Sequence, residues 1–272
     1  MKKFIFVFLS FCLSTTIWSQ EIGLELIKHY DFKEKIENWT VDNIGNLIVQ
    51  QGNTLIKIDS VGKQTFTQSI KYLGEISQIT SINSMKIVLF SEEQQCICLL
   101  DNTLTINGKC KFLEQYNIRN AKFIAASNRP NLIWIYDQYV SSLLLVDIIQ
   151  DEIVQKVENF AGIAGIKSEL TAMEEYKNKL YLQNSEQIYE FDLMLNWSNT
   201  FNKPSKQAAF WNNNIIGFSS DSLNFLNINS NENSKFQVSN YENFLNLQIV
   251  GSDFYFSKDL RISKYKLNNI KF

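Results

Sequence analysis

The sequence predicts an all-β fold, a six-bladed β-propeller of four-stranded antiparallel blades, with the ring closed by the N-terminal strand joining the C-terminal blade. Three observations predict it. One short stretch contains three turns and two strands, similar stretches recur along the chain, and one strand is left over near the N-terminus. A chain of 272 residues is long enough to bury the core of one large β domain.

The clearest copy of the repeat is Val41–Lys63. Two short runs in it, Leu47–Val49 and Leu55–Ile58, are rich in apolar and β-branched residues, which is the composition of strands buried on both faces. Glycine, asparagine and aspartate, which favour turn conformations, mark three turns. These turns lie at Asn43–Asn46, Gln51–Asn53 and Asp59–Gly62. Their close spacing leaves no room for a helix, so the stretch is predicted to be a β-meander.

The strand pair of this stretch recurs five more times along the chain. The strand equivalent to Leu47–Val49 recurs as Lys86–Phe90, Leu132–Tyr136, Lys179–Leu182, Ile215–Phe218 and Phe254–Phe256. A period of about 40 residues, with several short strands in each repeat, is typical of propeller blades. The sequence therefore predicts six blades.

Each strand pair is flanked by a predicted inner strand and, except in the sixth repeat, by an outer strand. The inner strands are predicted at Trp39–Val41, Gln78–Ile82, Lys122–Ala126, Glu169–Met173, Gln207–Trp211 and Leu245–Val250. Near the N-terminus, Leu24–Phe32 is an alternating strand without a partner of its own. Pairing it beside Arg261–Leu267 would close the ring and cover both sheet edges. A β-sandwich and a seven-bladed ring are the structural alternatives.

Residues 1–19 have the pattern of a secretory signal peptide, followed by one propeller domain over residues 20–272. Lys2 and Lys3 precede the apolar run Phe4–Leu13, which is too short to span a bilayer. Cleavage is expected near Ser19–Gln20, with a lipoprotein modified at Cys12 as the alternative. The mature chain is thus expected to be exported, to the periplasm or the cell exterior, with association with the outer membrane as a further option.

Three cysteines follow the leader, and an odd number in an oxidising compartment allows one disulfide and one free thiol. Cys96 and Cys98 are two residues apart on one predicted strand and face the same side, and Cys110 lies on the strand expected to pair with it. The options are a Cys96–Cys110 bridge, a Cys98–Cys110 bridge, or buried free thiols. A zinc site is not expected, because Cys-x-Cys spacing suits zinc poorly.

The first repeat also carries a family resemblance. Its pattern begins Asp42-x-x-Gly45-Asn46-Leu47-Ile48, continues Asn53-x-Leu55-Ile56-Lys57-Ile58-Asp59, and ends Gly62-Lys63. This pattern resembles the repeats of six-bladed propellers of the NHL and TolB-like type, and it is similar to exported propellers of Bacteroidota. The resemblance implies a propeller fold and a family that includes scaffolds, envelope-complex components and a few enzymes.

The sequence predicts no catalytic residue, no metal ligand set and no cofactor. His29 is the only histidine, and on the closing strand it is expected to be an ordinary strand residue. Nucleophilic triads need a nearby base, and the chain has no nucleophile elbow or phosphate-binding glycine loop. The adjacent carboxylate pairs Glu92-Glu93, Asp151-Glu152 and Glu174-Glu175 are predicted to be solvated charges in turns.

An aspartate recurs at the end of the third strand of several repeats. The equivalent strand ends are predicted at Asp59, Asp101, Asp147, Asp192, Asn229 and Lys266. A carboxylate at that position accepts hydrogen bonds from backbone N–H groups of the following turn. These residues are therefore predicted to form turns rather than a site.

Candidate binding residues lie in two kinds of loop, those between blades and those between the second and third strands of a blade. The candidates are Tyr72, Glu75, Tyr116, Arg119 and Tyr139, with Lys258 in the equivalent loop of the last repeat. Tyrosine and arginine are favoured interface anchors, and the alternative role for these aromatics is to cover blade junctions. The apolar connector Asn159–Ser168 is expected to be a mobile flap over the same face.

The formal net charge is −2, with both signs scattered along the chain, so there is no electrostatic footprint for nucleic acid or an anionic membrane. The expected function is that of a non-enzymatic protein-binding or scaffold module of the cell envelope, whose partner is a protein or envelope component. One alternative is an enzyme acting on a saccharide or lactone, which requires two carboxylates that converge at the central channel. The other is a sensor of a small ligand in that channel.

Overall fold

The computed structural model describes residues 23–219, 222–238 and 244–268. In this part of the chain 24 strands form six four-stranded antiparallel sheets. The predicted signal peptide lies outside the described residues. None of the helices in the described part of the chain is long and apolar enough to cross a membrane.

The first described strand is β1, Gly23–Asp31. Blade 1 follows with β2 Asn38–Val41, β3 Leu47–Gln51, β4 Thr54–Ile58 and β5 Gln64–Ser69. Blade 2 contains β6 Gln78–Asn83, β7 Lys86–Ser91, β8 Cys96–Asp101 and β9 Lys111–Phe112. Blade 3 contains β10 Ala121–Ala126, β11 Leu132–Asp137, β12 Ser142–Asp147 and β13 Glu152–Val157.

Blade 4 contains β14 Ala172–Tyr176, β15 Lys179–Gln183, β16 Gln187–Asp192 and β17 Trp197–Asn202. Blade 5 contains β18 Ala208–Trp211, β19 Asn214–Ser219, β20 Ser222–Asn227 and β21 Asn233–Gln237. Blade 6 contains β22 Asn246–Val250, β23 Asp253–Lys258 and β24 Arg261–Asn268. Short helices occupy three of the connectors between blades, at Lys71–Leu73, Leu113–Tyr116 and Phe160–Ile163, the last of which is α1.

The N-terminal strand closes the ring, as the sequence predicts. β1 pairs antiparallel with β24, with Leu24 opposite Leu267 and Tyr30 opposite Ile262. Blade 6 therefore has the strand order β1-β24-β23-β22 and takes its outer strand from the other end of the chain. An ion pair of 2.6 Å between Arg261 Nε and Asp31 Oδ1 lies along the same seam. The six-bladed propeller is thus confirmed, and every sheet has its four strands.

The core lies between adjacent blades. In the middle strands both faces of the sheet are buried, as at Leu47, Ile48 and Val49. Ile48 belongs to a cluster that also includes Ile87 and other residues of blade 2. Because each sheet packs on two neighbours, its second and third strands are largely buried on both faces, and their apolar runs, as in β11 and β12, made them visible in the sequence.

Several of the sequence predictions about local structure are wrong. The inner strand of blade 4 is Ala172–Tyr176 and not Glu169–Met173, because the tight turn at Lys177 and Asn178, both with positive φ, sets where the hairpin reverses. Glu174 and Glu175 therefore lie within a strand and not in a turn. In blade 5, β20 ends at Asn227 and not at Asn229.

The connector Asn159–Ser168 is a further correction, because it is a helical segment packed on the core and not a mobile flap. It contains α1, and its Phe160 is buried with the ring centroid 5.0 Å from that of Phe191. Ile166, further along, is also buried in the core cluster between blades 3 and 4. The connector's apolar residues are thus explained by burial in that core.

The disulfide joins Cys98 and Cys110, and Cys96 is a buried free thiol. This is the second of the two bridges that the sequence allows. Cys96 pairs instead with Phe112 of the short strand β9. Burial raises the pKa of the Cys96 thiol, which keeps this group protonated.

The recurring aspartates form turns, as predicted. Each accepts a hydrogen bond from a backbone N–H two to four residues further on. The pairs are Lys63 N to Asp59 Oδ1 at 2.7 Å, Thr103 N to Asp101 Oδ1 at 2.8 Å, Ile149 N to Asp147 Oδ1 at 2.8 Å and Met194 N to Asp192 Oδ1 at 2.9 Å. Asn227 makes the same contact in blade 5, where its Oδ1 accepts from Asn229 N at 2.9 Å.

Candidate functional site

The candidate binding residues share one end of the propeller. Because the strands of each blade alternate in direction, the connectors between blades and the turns between second and third strands lie at the same end, here called the loop face. Tyr72 and Glu75, in the connector between blades 1 and 2, are exposed there, and 63 % of the Tyr72 surface is accessible. Lys258 is half-buried at the equivalent turn of blade 6.

Arg119 and Tyr139 are distant in the repeat but adjacent in space. Arg119 follows the helix that connects blades 2 and 3, whereas Tyr139 lies in the turn between β11 and β12. The Arg119 guanidinium carbon is 5.4 Å from the Tyr139 ring centroid, within the range of a cation–π contact. Both residues are exposed, and 67 % of the Tyr139 surface is accessible.

Asp137, at the end of β11, holds this pair together, and sequence reasoning missed it. Its Oδ2 accepts a hydrogen bond from Arg119 N at 2.9 Å, and its Oδ1 accepts one from Tyr139 N at 3.0 Å. A further bond comes from Asn120 N at 3.2 Å. Asp137 is almost fully buried. One buried carboxylate therefore fixes both loops. The sequence signal was an aspartate at the end of a second strand, where the other five blades have Gln51, Ser91, Gln183, Ser219 and Lys258.

Two apolar side chains extend this surface. Val140 adjoins Tyr139, and Ile163 stands on α1 with 72 % of its surface accessible. The helix is tied to the Tyr139 turn through Ser141, whose carbonyl accepts from Phe160 N at 2.6 Å and whose Oγ accepts from Ala161 N at 3.1 Å. Arg119, Tyr139, Val140 and Ile163 are called the blade 3 patch below.

A surface cleft of about 570 Å³ adjoins the blade 3 patch. Its walls carry both charge signs and a few apolar groups. The lining residues are Glu114, Asn117, Ile118, Arg119, Val140, Lys156, Glu158 and Asn159. Lys156 and Glu158 form an ion pair of 2.7 Å on one wall. The cleft thus offers hydrogen-bonding groups of either charge beside the apolar patch.

Tyr116 does not belong to this surface. Its side chain is buried, with 3 % of its surface accessible, and its hydroxyl donates to Asp151 Oδ1 at 2.8 Å. Burial, followed by the hydrogen bond to the Asp151 carboxylate, raises the pKa of this phenol. Tyr116 therefore covers the junction of blades 2 and 3, the role that the sequence analysis gave as the alternative for these aromatics.

The central channel is the second candidate site. A cavity of about 380 Å³ is walled by the inner strands of all six blades. Glutamines tie neighbouring inner strands together: the Gln78 amide donates to Ile124 O at 2.8 Å and accepts from Ile124 N at 3.1 Å. Likewise, the Gln248 amide donates to Trp39 O at 2.9 Å and accepts from Val41 N at 3.1 Å. These amide pairs extend the backbone pairing around the channel.

The adjacent carboxylates Glu174 and Glu175 both lie on β14, but they differ in environment. Glu175 is buried, and accepts hydrogen bonds from Trp134 Nε1 at 2.6 Å and Asn128 N at 3.0 Å. Glu174 lines the channel cavity, where water can reach it. The surrounding protein walls hydrate it less well than open solvent would, and this desolvation raises the pKa of its carboxyl to about 7.

The two carboxylates therefore do not act on one point in the channel. Neighbouring residues of a strand face opposite sides of the sheet, and Glu175 is already bound by groups of blade 3. Sequence reasoning missed the position of Glu174 because the strand boundary was placed three residues too early. The signal that could have found it was the Lys177-Asn178 dipeptide, since asparagine tolerates the positive φ that such a hairpin turn requires.

The only histidine lies far from the channel in the sheet order. His29 is on β1, the outermost strand of blade 6, and its Nδ1 is 2.8 Å from Ser263 Oγ on the neighbouring strand. Three strands separate β1 from the inner edge of that blade. His29 is thus placed as an ordinary strand residue.

No protein-family model matches the sequence, and no curated protein matches it. Solved structures do resemble the fold. Virginiamycin B lyase from Staphylococcus aureus is 11 % identical with a TM-score of 0.62, covering 90 % of this chain and 99 % of that one. A structure of that lyase in which one histidine is replaced by alanine is described as catalytically inactive.

Two further solved structures with a similar fold are a WD40 domain and a chain of a multiprotein complex. The WD40 domain of Neurospora crassa Pan2 is 6 % identical with a TM-score of 0.62, covering 91 % of this chain and 98 % of that one. A chain of the mitotic checkpoint complex is 9 % identical with a TM-score of 0.63, covering 98 % of this chain and 99 % of that one. At these identities the likeness shows the propeller fold alone.

Proposed function

We propose that this chain is an exported, non-enzymatic propeller that binds a protein partner in the envelope of a Gram-negative cell through the blade 3 patch. The observation that carries the proposal is the exposed Arg119–Tyr139 pair, held in place by buried Asp137. Arginine and tyrosine are enriched among the residues that dominate binding energy at protein interfaces. Here they stand together on the end of the propeller where its longest connectors lie.

The patch is preorganised, which favours its use as an interface. Loops that are already fixed lose less conformational entropy on binding than mobile loops do. Asp137 fixes the Arg119 and Tyr139 backbones, and Ser141 fixes the helix that carries Ile163. Exposed apolar groups beside a cleft of mixed charge match the usual anatomy of a partner site, which has an apolar centre and a polar rim.

The structural neighbours agree with a binding role without assigning one. One is a WD40 domain and another is a chain of a multiprotein checkpoint complex. The lyase is an enzyme, and its histidine-to-alanine variant is described as catalytically inactive. In the present chain His29 lies on an outer strand and Glu175 is engaged by Trp134 and Asn128. These placements favour a binding module over an enzyme.

Two observations support export. The pattern of residues 1–19 is that of a signal peptide, and a disulfide such as Cys98–Cys110 persists in oxidising compartments. The test is the mass of the chain purified from fractionated cells. A mature chain that begins near Gln20 in the periplasmic or culture fraction is expected, whereas an intact Met1 terminus in the cytoplasmic fraction would contradict export.

The binding proposal is tested by affinity isolation from envelope extracts of the source cell. The bait is the tagged wild-type chain, the Arg119→Ala/Tyr139→Ala variant, or Trp197→Ala as a matched control. Trp197 is also an exposed aromatic, with 60 % of its surface accessible, but it lies on outer strand β17 of blade 4. A stoichiometric partner should be recovered with the wild type and with Trp197→Ala, and lost with the double variant.

Equal recovery of that partner with the double variant would contradict the assignment to the blade 3 patch. Repeated recovery of the bait alone from extracts would contradict the scaffold role itself. The folded state of each bait is checked by its thermal unfolding, since the exposed side chains of Arg119 and Tyr139 are not expected to carry the stability of the blade.

A further inference from the structure

The channel contains a carboxylate without a counter-charge. Within the described residues, Glu174 makes no hydrogen bond or ion pair, although it is enclosed by the six inner strands. The residues that line the cavity include no lysine, arginine or histidine. Ionisation of a carboxyl group in this environment costs free energy, because the surrounding protein replaces part of its hydration shell and no cation neutralises its charge.

The rest of the lining mixes apolar side chains such as Ile79, Met173 and Phe210 with polar groups, and most of its exposed surface is polar. It includes hydroxyl and amide side chains from four of the six blades. These are Thr40, Gln78, Thr80, Ser81, Ser127, Asn128 and Gln248, with Glu174 itself on blade 4. The inner edges of the six inner strands also face the channel. The lining thus suits a hydrated, hydrogen-bonding solute better than an apolar one.

We propose that the central channel binds a small organic cation, a primary ammonium compound that also carries hydroxyl or amide groups, with Glu174 as its counter-ion. The volume of about 380 Å³ falls at the lower end of the range for small-molecule sites. An ammonium group gains a charge-assisted hydrogen bond to the carboxylate. Its neutral groups bond to hydroxyl side chains of the lining such as those of Thr80 and Ser127.

The charges in the channel favour this ligand class over the alternatives. An anion would meet the Glu174 carboxylate with no basic residue to offset it. Of the two carboxylates in the lining, Glu175 is already engaged by Trp134 and Asn128, so a divalent metal would find only Glu174 unengaged. Calcium and magnesium sites usually draw on several oxygen ligands with more than one carboxylate. A monovalent ammonium ion needs a single carboxylate for charge balance.

The pH dependence of binding follows from the same group. The Glu174 carboxyl, with its pKa raised to about 7, is mostly protonated at pH 6 and mostly ionised at pH 8. A simple alkylammonium ion stays charged over that interval, because its pKa is near that of lysine, about 10.4. Affinity for the ammonium compound should therefore rise between pH 6 and pH 8.

The test uses 4-amino-1-butanol and 1,4-butanediol, which differ only in an ammonium group replaced by a hydroxyl. Calorimetric titration compares the wild type, Glu174→Gln and the control Glu186→Gln, which removes an exposed carboxylate from a turn of the same blade. At pH 8 the amine should bind the wild type and Glu186→Gln roughly tenfold more tightly than the diol does. Glu174→Gln should lose this preference.

The wild type alone supplies a second test that needs no variant. Its affinity for the amine should fall roughly tenfold from pH 8 to pH 6, in keeping with the fraction of ionised carboxyl, while its affinity for the diol stays constant. Equal binding of amine and diol, a preference that survives in Glu174→Gln, or binding of calcium chloride in place of the amine would overturn the proposal. The blade 3 patch lies outside the channel lining, so the protein-binding proposal stands or falls separately.

Discussion

Single buried carboxylates position both candidate sites. Asp137 accepts hydrogen bonds from three backbone N–H groups and so joins the connector after blade 2 to a turn of blade 3. Glu175 accepts from the Trp134 indole and from a backbone N–H of the blade 3 loop. Hydrogen bonds to a charged acceptor contribute more than neutral ones, and each buried donor left unpaired adds a desolvation cost.

Replacing Asp137 by alanine should therefore destabilise the fold more than removing a turn aspartate at the surface. We expect Asp137→Ala to lower the free energy of unfolding by about 2–4 kcal/mol, because buried N–H groups lose their acceptor. Asp137→Asn should cost less, since one oxygen remains. The measurement is urea denaturation with Asp59→Ala as the control. A cost for Asp137→Ala no greater than that of the control would contradict this role.

Glu174 predicts a pH dependence of stability. The pKa of its carboxyl is raised in the folded chain, from 4.5 to about 7, so between these values the folded state holds the proton more tightly than the unfolded state does. This group therefore stabilises the fold least at high pH, and its contribution falls as pH rises from 4.5 to 7.

The expected result is that Glu174→Gln gains melting temperature over the wild type at pH 8 and gains none at pH 4. Thermal unfolding of both proteins across that pH range is the measurement, with Glu186→Gln as the variant that carries the same charge change. A constant difference between Glu174→Gln and the wild type at every pH would contradict the raised pKa.

At the scale of strands and connectors, sequence reasoning succeeded where burial decides the residue types. The second and third strands are largely buried on both faces because each is packed between two blades, so most of them carry apolar runs and their positions were predictable. The inner strand β14 was misplaced because its Glu174, Glu175 and Tyr176 lack that signature. The position of β14 explains the absence of an apolar run. Glu174 faces the water of the channel, and Glu175 faces polar groups of blade 3.

The candidate site was predictable only in part for a related reason. Arg119 and Tyr139 were chosen by residue type and by the end of the propeller on which their loops lie. Their contact depends on Asp137, whose hydrogen bonds span two blades, and no local pattern reports such a bond. Tyr116 was of the same residue type and in the same connector, yet the hydrogen bond to Asp151 holds it inside.

The disulfide makes a prediction for blade 2. Cys98 and Cys110 are separated by 12 residues, and a cross-link that closes a loop of this size stabilises a fold by about 3 kcal/mol. Cys98→Ala should lower the free energy of unfolding by that order, whereas Cys96→Ala, which deletes only a buried thiol, should cost about 1 kcal/mol. Urea denaturation under non-reducing conditions compares the two. The reverse order of costs would contradict the pairing.

At the scale of the whole molecule, the ring depends on pairing between the two ends of the chain. β1 and β24 share the longest strand pairing of blade 6, from Gly23 opposite Asn268 to Asp31 opposite Arg261. The period of the repeat and the unpaired N-terminal strand were enough to predict this closure. Without β1, the edge of β24 would be exposed and available to another chain.

Deletion of residues 23–31 should therefore lower the melting temperature of the whole propeller and promote association through the free edge. Adding a synthetic peptide of that sequence should restore both the melting temperature and the monomer, and a scrambled peptide should restore neither. Calorimetry and size-exclusion chromatography are the measurements. A truncated chain that remained monomeric and equally heat-stable would contradict the closure.

Whether the loop face meets a partner at the blade 3 patch is tested most directly by photo-crosslinking in cells. Tyr139 is replaced by the photoreactive amino acid benzoylphenylalanine, and Trp197 is replaced in the same way in a matched chain. The proposal predicts one adduct of defined mass from position 139 and none from position 197. No adduct from position 139, or the same adducts from both positions, would contradict it.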